Sequence, residues 1–361
     1  MTSVFLYGAL THAPLRAVVL ECEAGAPLTL PGWQVVAGEG ALWADLVEMP
    51  ESRAQGLSLV LSDAALARLE HFLAGFGYAL RLLPGFAGLV PLRDAAPGPL
   101  WDAETWGAAM ADTATATAQD MMALLGLMTA DRMARRFGAM LVRGAGRLRA
   151  AKAAPTTRRH RAVPGDWQVA GWQQPYAAFF AAEETDLSWR RFDGRMNPAS
   201  TRAGFISGDA VTVLPYDPVR DRVLLVEQFR AGPWHRGDPQ PWQLEPIAGR
   251  IDPGETPERA ARREAVEEAG LTLGRLIEVA RYYPTPGICT EFLYSYLALT
   301  DLPDEAAGVF GLAEEAEDIR GHLVGFDDLM ALVASGEAGN APLILTALWL
   351  QRERSALRRT R

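Results

Sequence analysis

Short strand-like apolar runs occur at residues 4–7, 33–36, 57–61 and 78–83. Between the last two, residues 63–72 carry apolar side chains near helical spacing, with Asp63 at the start of the run. Helical periodicity returns from about residue 116 to 148, divided near Asp131 by a polar break. The apolar pattern then stops. Residues 153–166 contain Pro155, Arg158, Arg159, His160, Arg161 and Pro164 with almost no hydrophobic neighbours, which reads as a linker, a basic recognition arm being the alternative. Beyond it the pattern turns strand-like. Residues 169–183 read as extended, and 210–214 with 223–228 as a hairpin around a Pro/Asp turn. Residues 276–283 and 292–299 read as strands, 326–335 and 343–357 as helices.

A chain of 361 residues exceeds what one hydrophobic core usually organises. We therefore expect a domain over 1–150, a linker over 151–166 and a second domain over 167–361. Strands and helices mixed around a central helical segment make the second an α/β sandwich.

That segment follows Gly249. Asp252, Pro253 and Gly254 form a turn, Thr256 can cap a helix, and Pro257 suits its first position. Gly270 suits the left-handed residue after a helix end, so the spacing predicts a helix over 257–269. Glu264 and Glu268 stand four residues apart on one face, with Glu267 beside them. Like charges at this spacing repel, and anions near a helix C-terminus oppose its dipole, each at roughly 0.3–1 kcal/mol. Either the face is simply solvated, or a divalent cation with oxygen ligands resolves the conflict.

Composition adds limits. A net charge of −9 argues against general affinity for nucleic-acid backbones. Cys22 and Cys289 are far apart in sequence and have no metal-ligand spacing, so neither a disulfide framework nor a zinc site is expected. No run of 18 apolar residues appears, and the N-terminus lacks a basic region ahead of its apolar block. No membrane partner is expected, and the cytoplasm is the expected location.

The pattern Gly249-x5-Glu255-x7-Arg263-Glu264, then Glu267-Glu268-x-Gly270 and an apolar Leu271, fills every fixed position of the Nudix box. The chain thus resembles the Nudix hydrolases, whose fold is an α/β/α sandwich. The resemblance implies Glu264 and Glu268 as ligands of Mg²⁺, two or more ions, with Mn²⁺ as a substitute. It implies Glu267 as a metal or water contact, and Arg263 and Glu255 as a pair bracing the loop, with Glu255, Gly249 and Gly270 forming the structural frame.

Further stretches resemble the bacterial ADP-ribose pyrophosphatase group from about Pro175 to Leu350: those beginning at Arg191, Pro215, Val226, Glu245, Pro284 and Gly311. Hydrolysis of a nucleoside-diphosphate sugar is implied, ADP-ribose first and GDP-mannose as the alternative. Glu315 then matches the general base, acting with Glu267 and Arg263 in the catalytic set. Glu317 and the carbonyl of Ala248 match further metal ligands. Arg202, Arg230 and Arg250 match diphosphate contacts, although Arg230 also reads as a surface ion-pair partner. Phe179 and Phe180 sit where adenine is stacked, or else are core aromatics. Thr285, Pro286, Gly287 and Glu291 match a substrate-facing loop. The group also implies a homodimer through this domain.

Near the start, Phe5, Leu6, Tyr7, Gly8 and Leu10, with the run from Ala65 to Phe72, resemble the γ-glutamylcyclotransferase-like fold, a small β-barrel with helices. Leu73 occupies the place of that family's general acid/base Glu. The reading is a non-catalytic binding or docking domain. Cyclotransferase activity, or nucleotide sensing without turnover, are the readings from other classes.

Overall fold

The computed structural model describes residues 1–22, 24–38, 42–83, 86–152, 155–311 and 318–359. The chain divides into two compact units, Met1–His160 and Arg161–Arg361.

The first unit opens with β1 (Thr2–Leu6), a short 3₁₀ turn over Gly8–Thr11 and α1 (Ala13–Leu20). Two long strands follow, β2 (Ala26–Ala37) and β3 (Ala44–Leu61), then α2 (Asp63–Ala74). Strands β4 (Ala79–Leu82) and β5 (Leu89–Leu92) precede the helices α3 (Ala103–Ala123) and α4 (Ala130–Ala150). The strands form one sheet in the order β2-β3-β1-β5-β4, with β1 antiparallel to β3 and parallel to β5.

Alternation along β1 explains its central place. Val4 and Leu6 face a core shared with Leu15, Leu69, Phe72, Met121 and Met133, while Phe5 and Tyr7 face a second core with Leu30, Leu46 and Val90. Helix α2 is capped by Ser62, whose hydroxyl accepts from the Ala65 amide.

Helix α3 begins thirteen residues before the sequence pattern suggested it. Its N-terminus is set by Asp102, whose carboxylate accepts from the Glu104 and Thr105 amides. In the Ala/Thr-rich middle the β-branched Thr residues lower the helix propensity that Ala supplies. Tertiary packing overrides this. Ala111, Ala114 and Ala118 are buried, and Gly144 of α4 comes so close that a Cβ there would lie 2.6 Å from the Thr117 hydroxyl.

The second unit begins with a three-stranded antiparallel sheet: β6 (Trp167–Ala177), β7 (Ala181–Trp189) and β8 (Ser200–Ile206), in that order. The single extended run anticipated at 169–183 is instead two strands joined by a turn at Ala178–Phe180, closed by an Ala178 N–H to Phe180 carbonyl bond.

Next come β9 (Ala210–Asp217), β10 (Arg222–Phe229), the short α5 (Ala231–Arg236), β11 (Trp242–Glu245) and β12 (Ile247–Arg250). Helix α6 (Pro257–Ala269), β13 (Arg275–Tyr282), β14 (Leu293–Leu299) and the two-residue β15 (Val309–Phe310) follow. The described chain ends with β16 (Ile319–Gly325), α7 (Phe326–Ser335) and α8 (Ala341–Arg359).

Strands β9 to β16 make one mixed sheet in the order β13-β14-β9-β10-β16-β15, with β11 beside β10 and β12 beside β9. Its two faces bury different helices. Val211, Val213, Leu224 and Val226 pack with Ala260, Ala261, Ala265 and Ala269 of α6. Leu214, Tyr216, Val223 and Leu225 pack with Leu329 of α7 and Leu343, Ala347 and Leu350 of α8. This is a layered arrangement of helix, mixed sheet and helices. The four small Ala side chains on its inner face let α6 lie close against β9 and β12.

Candidate functional site

The site grows from the segment that joins β12 to α6. Strand β12 is held by antiparallel pairing to β9, Ala248 opposite Thr212 and Gly249 opposite Val211. The turn after it closes by a Glu255 N–H to Asp252 carbonyl bond of 3.0 Å, with Gly254 at φ +79°. Thr256 then accepts from the Arg259 amide and Pro257 takes the first helical position. At the other end Gly270 has φ +60°, and the Leu271 amide reaches back 2.9 Å to the Ala265 carbonyl. The Gly270 amide also reaches back 3.0 Å to the Val266 carbonyl, so the chain stops the helix at a left-handed glycine. Both ends were readable from sequence because capping is local.

Helix α6 carries Glu264 and Glu268 inward. They are 9% and 2% exposed, which rules out the simply solvated face for these two. Glu268 accepts from the Ala248 amide at 3.1 Å. Glu264 lies flat against the strand: a Cβ on Gly249 would stand 1.8 Å from its Oε1. Any side chain at residue 249 would therefore displace the carboxylate. Two acidic side chains are held against the backbone of Ala248 and Gly249, beside the Ala248 carbonyl.

Arg263 organises the surrounding charge. Its guanidinium donates to both Glu255 oxygens, at 3.2 and 3.0 Å, to Glu264 at 2.7 Å, to Glu267 at 2.9 Å and to the Arg250 carbonyl at 2.9 Å. Burial alone would lower its pKa, but the hydrogen bond to Glu255 and the Glu264 charge outweigh burial and raise it. Arg263 is therefore permanently charged and serves as a brace, fixing the turn to the helix through a planar fork that Lys cannot reproduce.

A second cluster lies around Arg250, at the end of β12. Its guanidinium carbon is 4.5 Å from the Phe179 ring centre and 5.3 Å from that of Phe180. Phe180 in turn packs on Phe205 of β8 at 5.0 Å. Phe179 is 70% exposed, so it is not a core aromatic. The turn between β6 and β7 thus delivers an open aromatic ring to an arginine beside the acidic pair.

The loop after β13 is tied to the same region. The Ile288 and Cys289 amides donate to the Thr285 carbonyl, and the loop pairs with Phe205 on both sides. At its end Glu291 is partly buried. Burial raises its carboxyl above the usual range, against the opposing pull of the Arg250 and Arg230 charges. Both arginines therefore act electrostatically on Glu291. Arg230 itself donates to Glu245 at 3.0 Å through Nε. In the sequence Glu245 stands out only as part of a matching stretch. Its pairing across β10 and β11 places an acid beside Arg230, which no local spacing reveals.

Arg202 lies on β8, where its guanidinium packs over the Trp189 ring at 4.9 Å and donates to the Thr201 carbonyl at 3.1 Å. Glu315 and Glu317 lie outside the described residues. Among the described residues no group of three or more His, Cys, Asp or Glu forms a ready metal cage. The donor set that suits a hard divalent ion is the Glu264–Glu268 pair with the Ala248 carbonyl, all of it oxygen.

Comparison with known proteins decides the family. The NUDIX domain model matches residues 207–346. The ADP-ribose pyrophosphatase of Escherichia coli strain K12 is 37% identical over 193 residues, which span 54% of this chain and 91% of that protein. This chain belongs to the Nudix family. The ADP-ribose pyrophosphatase of Haemophilus influenzae is similar to the Nudix unit at 35% identity, over 52% of this chain and 86% of its own length. A GDP-mannose pyrophosphatase of Salmonella paratyphi B is 32% identical, over 40% of this chain and 74% of its own length. A solved ADP compounds hydrolase aligns with 54% of this chain and 98% of its own, at 20% identity and a TM-score of 0.41. The Nudix box of this unit is the loop, turn and helix from Gly249 to Leu271 described above. No described helix is long and apolar enough to cross a membrane.

Proposed function

We propose that the Nudix unit hydrolyses the diphosphate bond of ADP-ribose, releasing AMP and ribose 5-phosphate. The observation that carries this reading is the buried Glu264–Glu268 pair against Ala248 and Gly249, with Arg250, Arg230 and Glu291 grouped nearby. Diphosphatase names among the relatives support the substrate class.

Glu264, Glu268 and the Ala248 carbonyl would hold Mg²⁺, with Glu317 as a further ligand and Mn²⁺ as a substitute. When bound, two or more such ions neutralise the diphosphate and lower the pKa of an attacking water. Arg263 keeps Glu264 and Glu267 oriented through its hydrogen bonds. Arg230 and Arg250 hold the diphosphate oxygens, where a planar fork suits the geometry. Phe179 stacks the adenine, its exposed ring already facing Arg250. Glu291 and the Thr285, Pro286 and Gly287 turn meet the ribose side. Glu315 accepts the water proton as the general base.

The exposed sheet of β6, β7 and β8 supports a homodimer. Trp167, Val169, Trp172 and Tyr176 are all solvent-exposed along β6, more apolar surface than an isolated strand usually shows. Arg202 would then act in the second copy's site. The first unit is γ-glutamylcyclotransferase-like and non-catalytic in this proposal, since Leu73 cannot move a proton.

The test is a substrate panel with Mg²⁺ and purified full chain, scored by released nucleotide. AMP from ADP-ribose at the highest kcat/KM is expected. The GDP-mannose pyrophosphatase relative motivates the second reading, and preference for GDP-mannose would replace the first.

A further inference from the structure

The Arg250 side chain and the Phe179 ring lie against each other in the Nudix unit. The guanidinium carbon is over the ring at 4.5 Å from its centre, and 5.3 Å from that of Phe180. The electron-rich ring face attracts the cation. Phe179 is held in place by its turn. The Ala178 N–H to Phe180 carbonyl bond closes that turn at 2.8 Å, Phe180 meets Phe179 in a T-shaped contact at 4.8 Å, and Phe180 packs on Phe205. The Arg250 backbone is fixed as well, since it pairs with Ala210 of β9 and its carbonyl accepts from Arg263 at 2.9 Å. The part left to move is the half-buried Arg250 side chain.

Two ligand contacts meet at this pair. Under the proposed function Phe179 stacks the base and Arg250 holds diphosphate oxygens, and the inference rests on that reading of the site. A base on the covered ring face needs its atoms about 3.5 Å from the ring, in the space that the guanidinium fills. The two exclude each other on that face. Arg250 also acts on the phosphate side, because its charge and that of Arg230 pull on the same Glu291 carboxyl.

We propose that Arg250 is a specificity-determining residue whose perch on Phe179 makes the site favour diphosphates that carry an aromatic base over base-free ones. A base-free diphosphate draws the guanidinium off the ring and puts nothing in its place, so the cation–π attraction is lost and apparent affinity falls. A ligand with a base fills the vacated face, and stacking on the ring is the stronger contact. Displacement of one side chain thus ties recognition of the base to recognition of the diphosphate.

The experiment is titration calorimetry of the full chain with Mg²⁺. It compares methylenediphosphonate, which has no base, with α,β-methylene ADP-ribose, and neither is hydrolysed at the methylene bridge. Phe179 is 70% exposed, so Phe179→Leu is not expected to disturb the fold. Methylenediphosphonate is expected to bind Phe179→Leu about two- to fivefold more tightly than wild type, the scale of an exposed cation–π contact. α,β-Methylene ADP-ribose is expected to bind the same variant about three- to thirtyfold more weakly, because stacking is lost. With Arg250→Met added, the gain for methylenediphosphonate should vanish.

Methylenediphosphonate binding that Phe179→Leu leaves unchanged or weakens overturns the inference alone, the result expected if the base took the other face of the ring. A gain that persists with Arg250→Met overturns it too. Should Arg250→Met fail to fold, the opposite signs for the two ligands in Phe179→Leu decide it. Wild type that binds neither ligand overturns the reading of the site, and the inference with it.

Discussion

Each unit buries acidic side chains, but the two balance them differently. In the first, Asp45 meets Arg93, whose charge and hydrogen bonds match it, and Tyr78 completes the set. In the Nudix unit a single guanidinium, Arg263, serves Glu255, Glu264 and Glu267 together, while Glu268 is buried next to them. One arrangement closes on itself. The other concentrates negative charge, at a cost that a bound cation would offset. The difference separates a buried acid matched by its own cation from a cluster that carries net negative charge.

The largest expected effect tests the concentrated side. Glu268→Gln should lower ADP-ribose turnover at least about a hundredfold while leaving the metal-free melting temperature unchanged or higher. AMP release and thermal unfolding in a chelator measure the two. A large loss of stability without loss of turnover would reverse the comparison.

Arg93→Met tests the closed side. It leaves Asp45 buried without its cation and should cost the first unit about 3 kcal/mol in urea unfolding. Turnover per folded molecule should be unaltered. Arg263→Lys keeps the charge but loses the fork that reaches both Glu255 oxygens and the Arg250 carbonyl. A drop in kcat/KM of about tenfold is expected, with only a small shift in melting temperature.

The smallest effect concerns Glu291. Its carboxyl is raised in the folded state, chiefly by burial, so the folded chain binds its proton more tightly than the unfolded chain. The stability this contributes is present at low pH and is lost as pH rises above the ordinary carboxylate value. Wild type should therefore lose stability relative to Glu291→Gln as pH rises through that window. Parallel unfolding curves for the two proteins across pH 4 to 7, on the order of a few tenths of a kcal/mol apart, would remove the burial argument.

The helix of the Nudix box was legible residue by residue. Thr256, Pro257 and Gly270 act through contacts within a few positions, and the observed Pro257–Ala269 span follows from them. The facing of Glu264 and Glu268 follows from a four-residue spacing on the same helix. In the first unit the apolar run that forms most of β1 was equally clear. The strand β3, eighteen residues long, was visible only over its last part, because its middle carries polar residues whose pairing with β2 supplies the order.

What the sequence determined alone is therefore the local set: the capped helix, its paired carboxylates and the family to which they belong. Tertiary structure decided which groups meet across distance. Arg250 reaches Phe179 across some seventy positions of chain, Arg230 finds Glu245 only because β10 pairs with β11, and Arg202 of β8 packs over Trp189 of β7. The physical reason is range. Capping and helical spacing act within a turn or two, whereas these contacts depend on sheet register and loop closure, which no short window of sequence encodes.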